Sequence, residues 1–465
     1  MSSTGRALAA LVSLSLLGAC SPASPAAAPS FSPGAPGAGD PYFPTYGNGG
    51  YDVSGYDLNI RYDPGGKQLT GTATITATAT QNLSRFDLDL AHLSAKSVKV
   101  DSRTATSAAD GNELVITPAK GIVKGKAFTV VVDYGGTPGQ LANKTLGDGG
   151  WLSGPDSALA LGQPESASTW FPVNDHPSDK ATFRLAMTVP DGLAVLSIGV
   201  PGPSSTAAGW TTWRWTESSP LASYLSTVII GKYRVTTTTH DGKPMVTAVP
   251  DSLPANGPAA QSMARTGEIA DFLATKFGPY PFDAYGGIVV DDNRIRYALE
   301  TQSRPAYGQA FFSAGPNPTV VAHELAHQWF GDSVALERWQ DIWLNEGFAT
   351  YAEWLWQEHD GTESIQENFD RTYASFDWTQ TPGDPGVAHL FGDAVYNRGG
   401  MTVYALRKTI GDAAFDKLLT TWTSRFRDGN ADTDDMIKLA EQLSGKDLGA
   451  FFQAWLYGKS APAKP

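Results

Sequence analysis

The sequence predicts an α+β chain, with an N-terminal antiparallel β domain followed by a mainly helical domain. Two patterns carry that expectation. From about Tyr51 to His240 apolar and polar residues alternate with a period of two, and after about Pro250 apolar residues recur at helical spacing. The length of 465 residues is enough for two domains, each with its own core. The change of period divides the folded part into a β domain over 46–245 and a helical domain over 246–465.

The first twenty residues read as a targeting segment. Arg6 supplies a positive start, and the apolar stretch from Ala7 to Leu17 is too short to span a bilayer. Leu17-Gly18-Ala19-Cys20 resembles a bacterial lipobox, so Cys20 is expected to carry lipid and to anchor an exported protein on the outer face of a bacterial membrane. Cys20 is the sole cysteine, which leaves no internal disulfide. Residues 21–45 are dominated by Pro, Ala, Ser and Gly, and such composition predicts a disordered tether. No later run is long enough for a transmembrane helix.

Within the β domain the clearest strand is Leu69 to Thr80. Threonines at 70, 72, 74, 76, 78 and 80 alternate with Leu69, Ala73, Ile75, Ala77 and Ala79, giving one polar and one small apolar face. Further strands are expected at Phe86 to Leu90, Phe128 to Tyr134, Thr182 to Val189 and Tyr224 to Ile230. Turns are marked by Pro64-Gly65-Gly66, Pro190-Asp191-Gly192 and Asp241-Gly242. In the second half, Ser262 to Phe277 reads as a helix, and Tyr285 to Thr301 is rich in strand formers. From about Tyr396 onward the pattern is helical, with Gly399, Gly411 and Gly445 as breaks and Trp422, Phe451, Phe452 and Trp455 as core candidates.

Between these lies the segment His323-Glu324-Leu325-Ala326-His327, followed after eighteen residues by Glu346. Asn317-Pro318 supplies an N-cap and a first helical residue, and Gly331 a C-cap. On that helix His323 and His327 project from one face, about a turn apart. Glu346 lies on a second expected helix, Asp341 to His359. Two imidazoles at this spacing and a carboxylate from a neighbouring helix make three ligands for one Zn²⁺ per chain, leaving a fourth position open, as in catalytic sites. Glu324 stands beside the pair, placed to take a proton from water. The bland alternative makes both histidines polar-face residues and Glu346 a surface carboxylate. An ionisable pair on an otherwise apolar helix needs a partner, which favours the metal.

These residues resemble the aminopeptidase N family of zinc metallopeptidases, the gluzincin aminopeptidases. Trp343-Leu344-Asn345-Glu346-Gly347-Phe348-Ala349 is similar to the family's third-ligand motif. Trp170-Phe171-Pro172-Val173-Asn174-Asp175-His176-Pro177 and Lys180-Ala181-Thr182-Phe183 are similar to its β-domain signature. The resemblance runs from about Tyr51 to Gly458 and implies a thermolysin-like catalytic domain, in a short form lacking the C-terminal helical domain. It also implies an aminopeptidase acting on peptides with a free N-terminus. Glu300, in Tyr297-Ala298-Leu299-Glu300-Thr301, would anchor the substrate amine, although Tyr, Leu and Thr stand where the family has Gly, Met and Asn. Tyr396, in Val395-Tyr396-Asn397-Arg398-Gly399-Gly400, would donate to the oxyanion, with Arg398 replacing a lysine. Gln163 would touch the substrate from the β domain, with Glu165 as a competing candidate.

The balance of 34 basic against 47 acidic residues, a net charge of −13, disfavours a nucleic-acid partner. The expectation is metal-assisted peptide hydrolysis, with a catalytically inactive binding lipoprotein, an endopeptidase or an epoxide hydrolase as alternatives on the same fold. Intact ligands and Glu324 argue against the inactive form, and Glu300 against an endopeptidase. Nothing in the pattern sets the preferred N-terminal residue or the oligomeric state.

Overall fold

The computed structural model describes residues 29–141 and 145–465, together with residues 1, 2, 4, 5 and 7. Cys20 and the lipobox lie outside the described residues. The chain separates into two units, Met1–Ser30 and Phe31–Pro465. The described residues of the first contain no helix or strand. No helix among the described residues is long and apolar enough to cross a membrane.

The alternating segments form the expected β domain. Its largest sheet places Trp210–Ala222, Lys180–Pro190, Tyr51–Asp63, Gln68–Ala79, Ala127–Gly136 and Ser94–Val100 side by side. In Gln68–Ala79 the residues Leu69, Ala73, Ile75, Ala77 and Ala79 are all buried, as the period-two pattern requires. Pairing is antiparallel except that Tyr51–Asp63 runs parallel to Lys180–Pro190. The expected strand Tyr224 to Ile230 is divided. A 3₁₀ turn, Ser223–Leu225, closed by the Ser226 hydroxyl on the Ser223 carbonyl at 2.6 Å, precedes the strand Val228–Gly231.

The tether assigned to residues 21–45 is corrected from Phe31 onward. Ser32–Pro33 pairs parallel to Leu83–Asp89, and Phe43 is buried against Tyr46 and Trp339. Asp40 fixes the segment: its carboxylate accepts from the Tyr42, Phe43 and Trp339 backbone N–H groups and pairs with His176. The Tyr42 hydroxyl donates to Asp384. Composition alone missed this because a few aromatic and acidic anchors, not bulk hydrophobicity, hold the strap.

The boundary near residue 245 also moves. Tyr233–His240 and Lys243–Pro250 form a hairpin that joins Tyr285–Val290, Ala306–Gly308 and Ala298–Leu299 in the second domain's five-stranded sheet. Alternation identifies a strand but not the sheet it enters, so the boundary lies near residue 232. The remaining elements are helical. The helix expected over Ser262 to Phe277 is two, Pro258–Met263 and Thr266–Phe277; between them the Ser262 and Thr266 hydroxyls bond back to the Pro258 and Met263 carbonyls.

Gly399 does not break a helix. It begins the helix Gly399–Ile410, continuous with a π-helical turn over Ala394–Arg398, and it crosses Gly347 of the helix Trp343–His359. A Cβ on Gly399 would sit 2.8 Å from the Gly347 Cα, so both positions must lack side chains for the helices to touch. Gly411 and Gly445 do end helices, with positive φ. Trp422, Phe452 and Trp455 are buried, and Phe451 is half-buried against Phe452 and Trp455.

Candidate metal centre

The first ligand helix, Pro318–Ala326, starts where the sequence indicates: the Asn317 side chain accepts from the Val320 N–H at 3.2 Å. It ends at His327 rather than Gly331, because the Asp332, Ser333 and Val334 N–H groups reach back five residues to His327, Gln328 and Trp329. The second ligand helix is Trp343–His359. Glu346 lies in its first turn, so the carboxylate also faces the helix's positive end.

These two helices bring His323, His327 and Glu346 together, all buried. A Glu346 carboxylate oxygen lies 3.2 Å from His323 Nε2 and 3.3 Å from His327 Nε2. Two atoms each ~2.0–2.1 Å from one tetrahedral ion are about 3.4 Å apart, so these donors already stand at zinc-ligand separation. The other ring nitrogens are engaged elsewhere. His323 Nδ1 faces Glu353 at 2.6 Å and His327 Nδ1 faces the Phe330 carbonyl at 3.0 Å, which turns both Nε2 lone pairs inward. The electrostatics agree. Burial disfavours charge on His323, but Glu346 and Glu353 outweigh it and hold the imidazole well above its ordinary value. Against the same burial, Glu346 and Glu300 raise His327 to about 9. A set of one oxygen and two nitrogen donors with excess negative charge around it fits Zn²⁺.

The candidates from the sequence converge on one cavity of about 310 Å³, lined by Glu324, Glu300, Tyr396 and Gln163 as well as the three donors. Burial pushes the Glu324 carboxyl up to about 8, with His323 and His327 pulling the other way. A cation on the donor set would add to that downward pull. Tyr396 stands on the π-helical turn, its ring stacked 6.0 Å from His323. Burial and the nearby Glu346, Glu324 and Glu300 hold its phenol well above the ordinary value, so it remains a proton donor. Arg398, beside it, points away. Its guanidinium is spent on the carbonyls of Trp455, Ala454, Gly458, Trp378 and Gln380.

Glu300 is buried, which raises its carboxyl, and one of its oxygens accepts from Tyr224 at 2.9 Å and from Gln163 at 3.2 Å. Glu165 does not line the cavity; burial, then Asp175, holds its carboxyl up at about 7. Tyr297, at the family's glycine position, borders the cavity without closing it. Its ring packs with Ile295 and Leu299, and its hydroxyl donates to the Asp148 carbonyl at 2.9 Å. Thr301 is turned into the fold, with its hydroxyl on the Arg304 carbonyl.

Three residues were missed in the sequence. Glu353 carried a signal, lying seven residues after Glu346 and so on the same helix face. Tyr224 carried none, since it arrives from a turn of the other domain. Gln328 sits behind the site, donating to the Glu300 carbonyl at 3.1 Å and accepting from the Ser303 N–H at 2.6 Å.

Comparison with known proteins finds matches over both domains. Residues 53–225 match the Peptidase M1 N-terminal domain, and residues 279–455 match the Peptidase family M1 domain. Aminopeptidase M1-C of Oryza sativa subsp. japonica is 25% identical over 443 residues, covering 88% of this chain and 49% of the rice protein. Aminopeptidase N of Canis lupus familiaris is 33% identical over 222 residues, 44% of this chain and 23% of the dog protein. The chain thus spans half or less of the length of these curated relatives. A solved M1 zinc metallopeptidase from Deinococcus radiodurans, in a mutant bound to a Tyr-Ser-Ala substrate, superposes with a TM-score of 0.85 at 29% identity. That match covers 92% of this chain and 99% of the other. With both domains matched in order and the two-domain fold shared along nearly its whole length, the chain belongs to peptidase family M1.

Proposed function

We propose that the protein is a zinc-dependent aminopeptidase that removes N-terminal residues from peptides. One observation carries the reading: a buried carboxylate, Glu300, shares a single cavity with the His323–His327–Glu346 donor set and with Glu324. The names of its relatives support it, as does the tripeptide substrate of the Deinococcus protein.

A zinc ion held by His323, His327 and Glu346 supplies a Lewis acid beside the reacting carbonyl. The remaining chemistry belongs to side chains. Glu300, oriented by Tyr224 and Gln163, binds the substrate's ammonium in a charge-assisted contact. Only a chain start presents an ammonium there, so the first peptide bond is the one held at the reacting centre. Glu324 takes a proton from the attacking water and later returns it to the leaving amine. The Tyr396 phenol donates to the oxyanion as the carbonyl becomes tetrahedral.

Aminoacyl arylamides with free and acetylated amines, assayed with and without a chelator, test this. Cleavage of the free-amine series alone, lost on chelation and restored by zinc, is expected. Equal rates on blocked and free substrates would make the protein an endopeptidase. The sequence of residues 1–20 further supports an exported protein held at a membrane by lipid on Cys20. Mass spectrometry of the mature N-terminus checks that, and an unmodified Cys20 in the membrane fraction would exclude it.

A further inference from the structure

We propose that Arg296 recognises a substrate carboxylate presented about three residues along the peptide, and so favours short peptides or an acidic third residue. The inference rests on the aminopeptidase reading, and it concerns the far end of the same cavity.

Among the described residues Arg296 is the one Lys or Arg to line that cavity, and it shares the lining with Glu300, Glu324, Glu346 and Glu353. It is exposed, and among the described residues it makes no hydrogen bond or ion pair. The neighbouring arginines are engaged: Arg294 with Asp292, and Arg304, beyond the strand Ala298–Leu299, with carbonyls of Ser197, Gly199 and Val246. An unpaired guanidinium on the wall of a cavity also lined by four carboxylates is a fork left available for a ligand.

Direction follows from the backbone. Ala298–Leu299 is the outermost strand of its sheet, paired only with Ala306–Gly308. Arg296, Ala298 and Glu300 follow one another along the cavity wall, with Leu299 packed into the core cluster behind and Tyr297 at the cavity's border. Beyond Glu300 the path is closed, because Thr301, Gln302, Ser303 and Arg304 are each 0% exposed and Tyr224 and Gln163 cover the carboxylate. A peptide whose amine sits on Glu300 therefore runs toward Arg296. At ~3.3 Å per extended residue, the four-residue interval to Arg296 is at most ~13 Å, which three peptide residues and the reach of an arginine side chain span. A carboxylate there comes either from the C-terminus of a tripeptide or from the side chain of an acidic third residue.

The test compares binding of trialanine with binding of its C-terminal amide, and of octapeptide amides carrying Asp or Asn at the third position. Calorimetry is run on the zinc-loaded Glu324→Gln protein, with Arg296 intact and with Arg296→Ala, Arg296→Lys or Arg296→Glu. A preference of roughly five- to tenfold for the carboxylate-bearing partner of at least one pair is expected with Arg296 present. The preference should vanish in Arg296→Ala, survive in part in Arg296→Lys and reverse in Arg296→Glu. The pair that discriminates identifies the source, chain end or side chain. Equal affinities within both pairs, or a preference that Arg296→Ala leaves intact, would overturn the assignment. Arylamide cleavage, measured separately, keeps the two readings apart. Turnover without an Arg296-dependent preference sinks only this inference, and the preference without turnover sinks only the aminopeptidase.

Discussion

At the scale of single residues, the centre divides its labour among groups that can be removed one at a time. His323→Ala or Glu346→Ala should lose zinc, whereas Glu324→Ala should keep it and lose turnover; metal analysis beside activity separates the two. Full zinc in the His323→Ala protein would undo the ligand assignment. Tyr396 contributes only once negative charge develops on the carbonyl oxygen. Tyr396→Phe should therefore lower kcat by roughly 10²–10³ with little change in KM or zinc content. Near-normal kcat would reduce Tyr396 to a packing residue against His323. Tyr224 acts through Glu300, which it orients at 2.9 Å. Removing a hydrogen bond to a charged carboxylate costs about 1.5–3 kcal/mol, so Tyr224→Phe should raise KM for free-amine substrates by roughly ten- to hundredfold. An unchanged KM would show that Gln163 suffices to orient Glu300.

At the scale of elements, what the sequence discloses is whatever local periodicity and spacing can carry. The two ligand helices were legible from Asn317-Pro318, the histidine spacing and the distance to Glu346, because a helix fixes which residues share a face. The threonine-alternating strand was legible for the same reason at period two. Tyr224, Arg296 and the close crossing of Gly347 on Gly399 were not, since each depends on which elements meet. The crossing has consequences for the site, because it sets Tyr396, at the end of one helical segment, against His323 and Glu346. A Cβ on Gly399 would meet backbone at 2.8 Å, with no flexible side chain to give way. Gly399→Ala should destabilise the fold by about 1–3 kcal/mol, read from urea denaturation, and lower kcat by displacing Tyr396. Unchanged stability would mean the helices can part without cost.

At the scale of the whole molecule, the two domains meet through polar anchors that composition does not reveal. Lys180 reaches the Asp332 and Ser333 carbonyls at 2.8 Å each, Arg304 ties the β domain to the five-stranded sheet, and Asp40 clips the strap to Trp339. Glu217 lies in this interface. Burial raises its carboxyl to about 7, the Ser219 N–H opposes, Asp283 adds to the rise, and Gln302 and Arg304 oppose. One Glu217 oxygen and the Gln302 carbonyl oxygen both lack a partner, the arrangement a proton on Glu217 would relieve. Asp332 and Tyr280 also face this region, both held above their ordinary values chiefly by burial. Because Glu217 binds its proton more tightly folded than unfolded, its contribution is full below about 4.5 and is lost as pH rises through about 7. A shift of that size corresponds to about 3 kcal/mol, an upper figure for one group. The urea midpoint should therefore fall as pH rises from about 4.5 to about 7 and level off above that. In Glu217→Gln, which keeps an acceptor for Ser219 and offers N–H donors to Gln302, the fall should be visibly smaller. A variant whose midpoint drops as steeply as the wild type would place the pH sensitivity elsewhere among the buried acids.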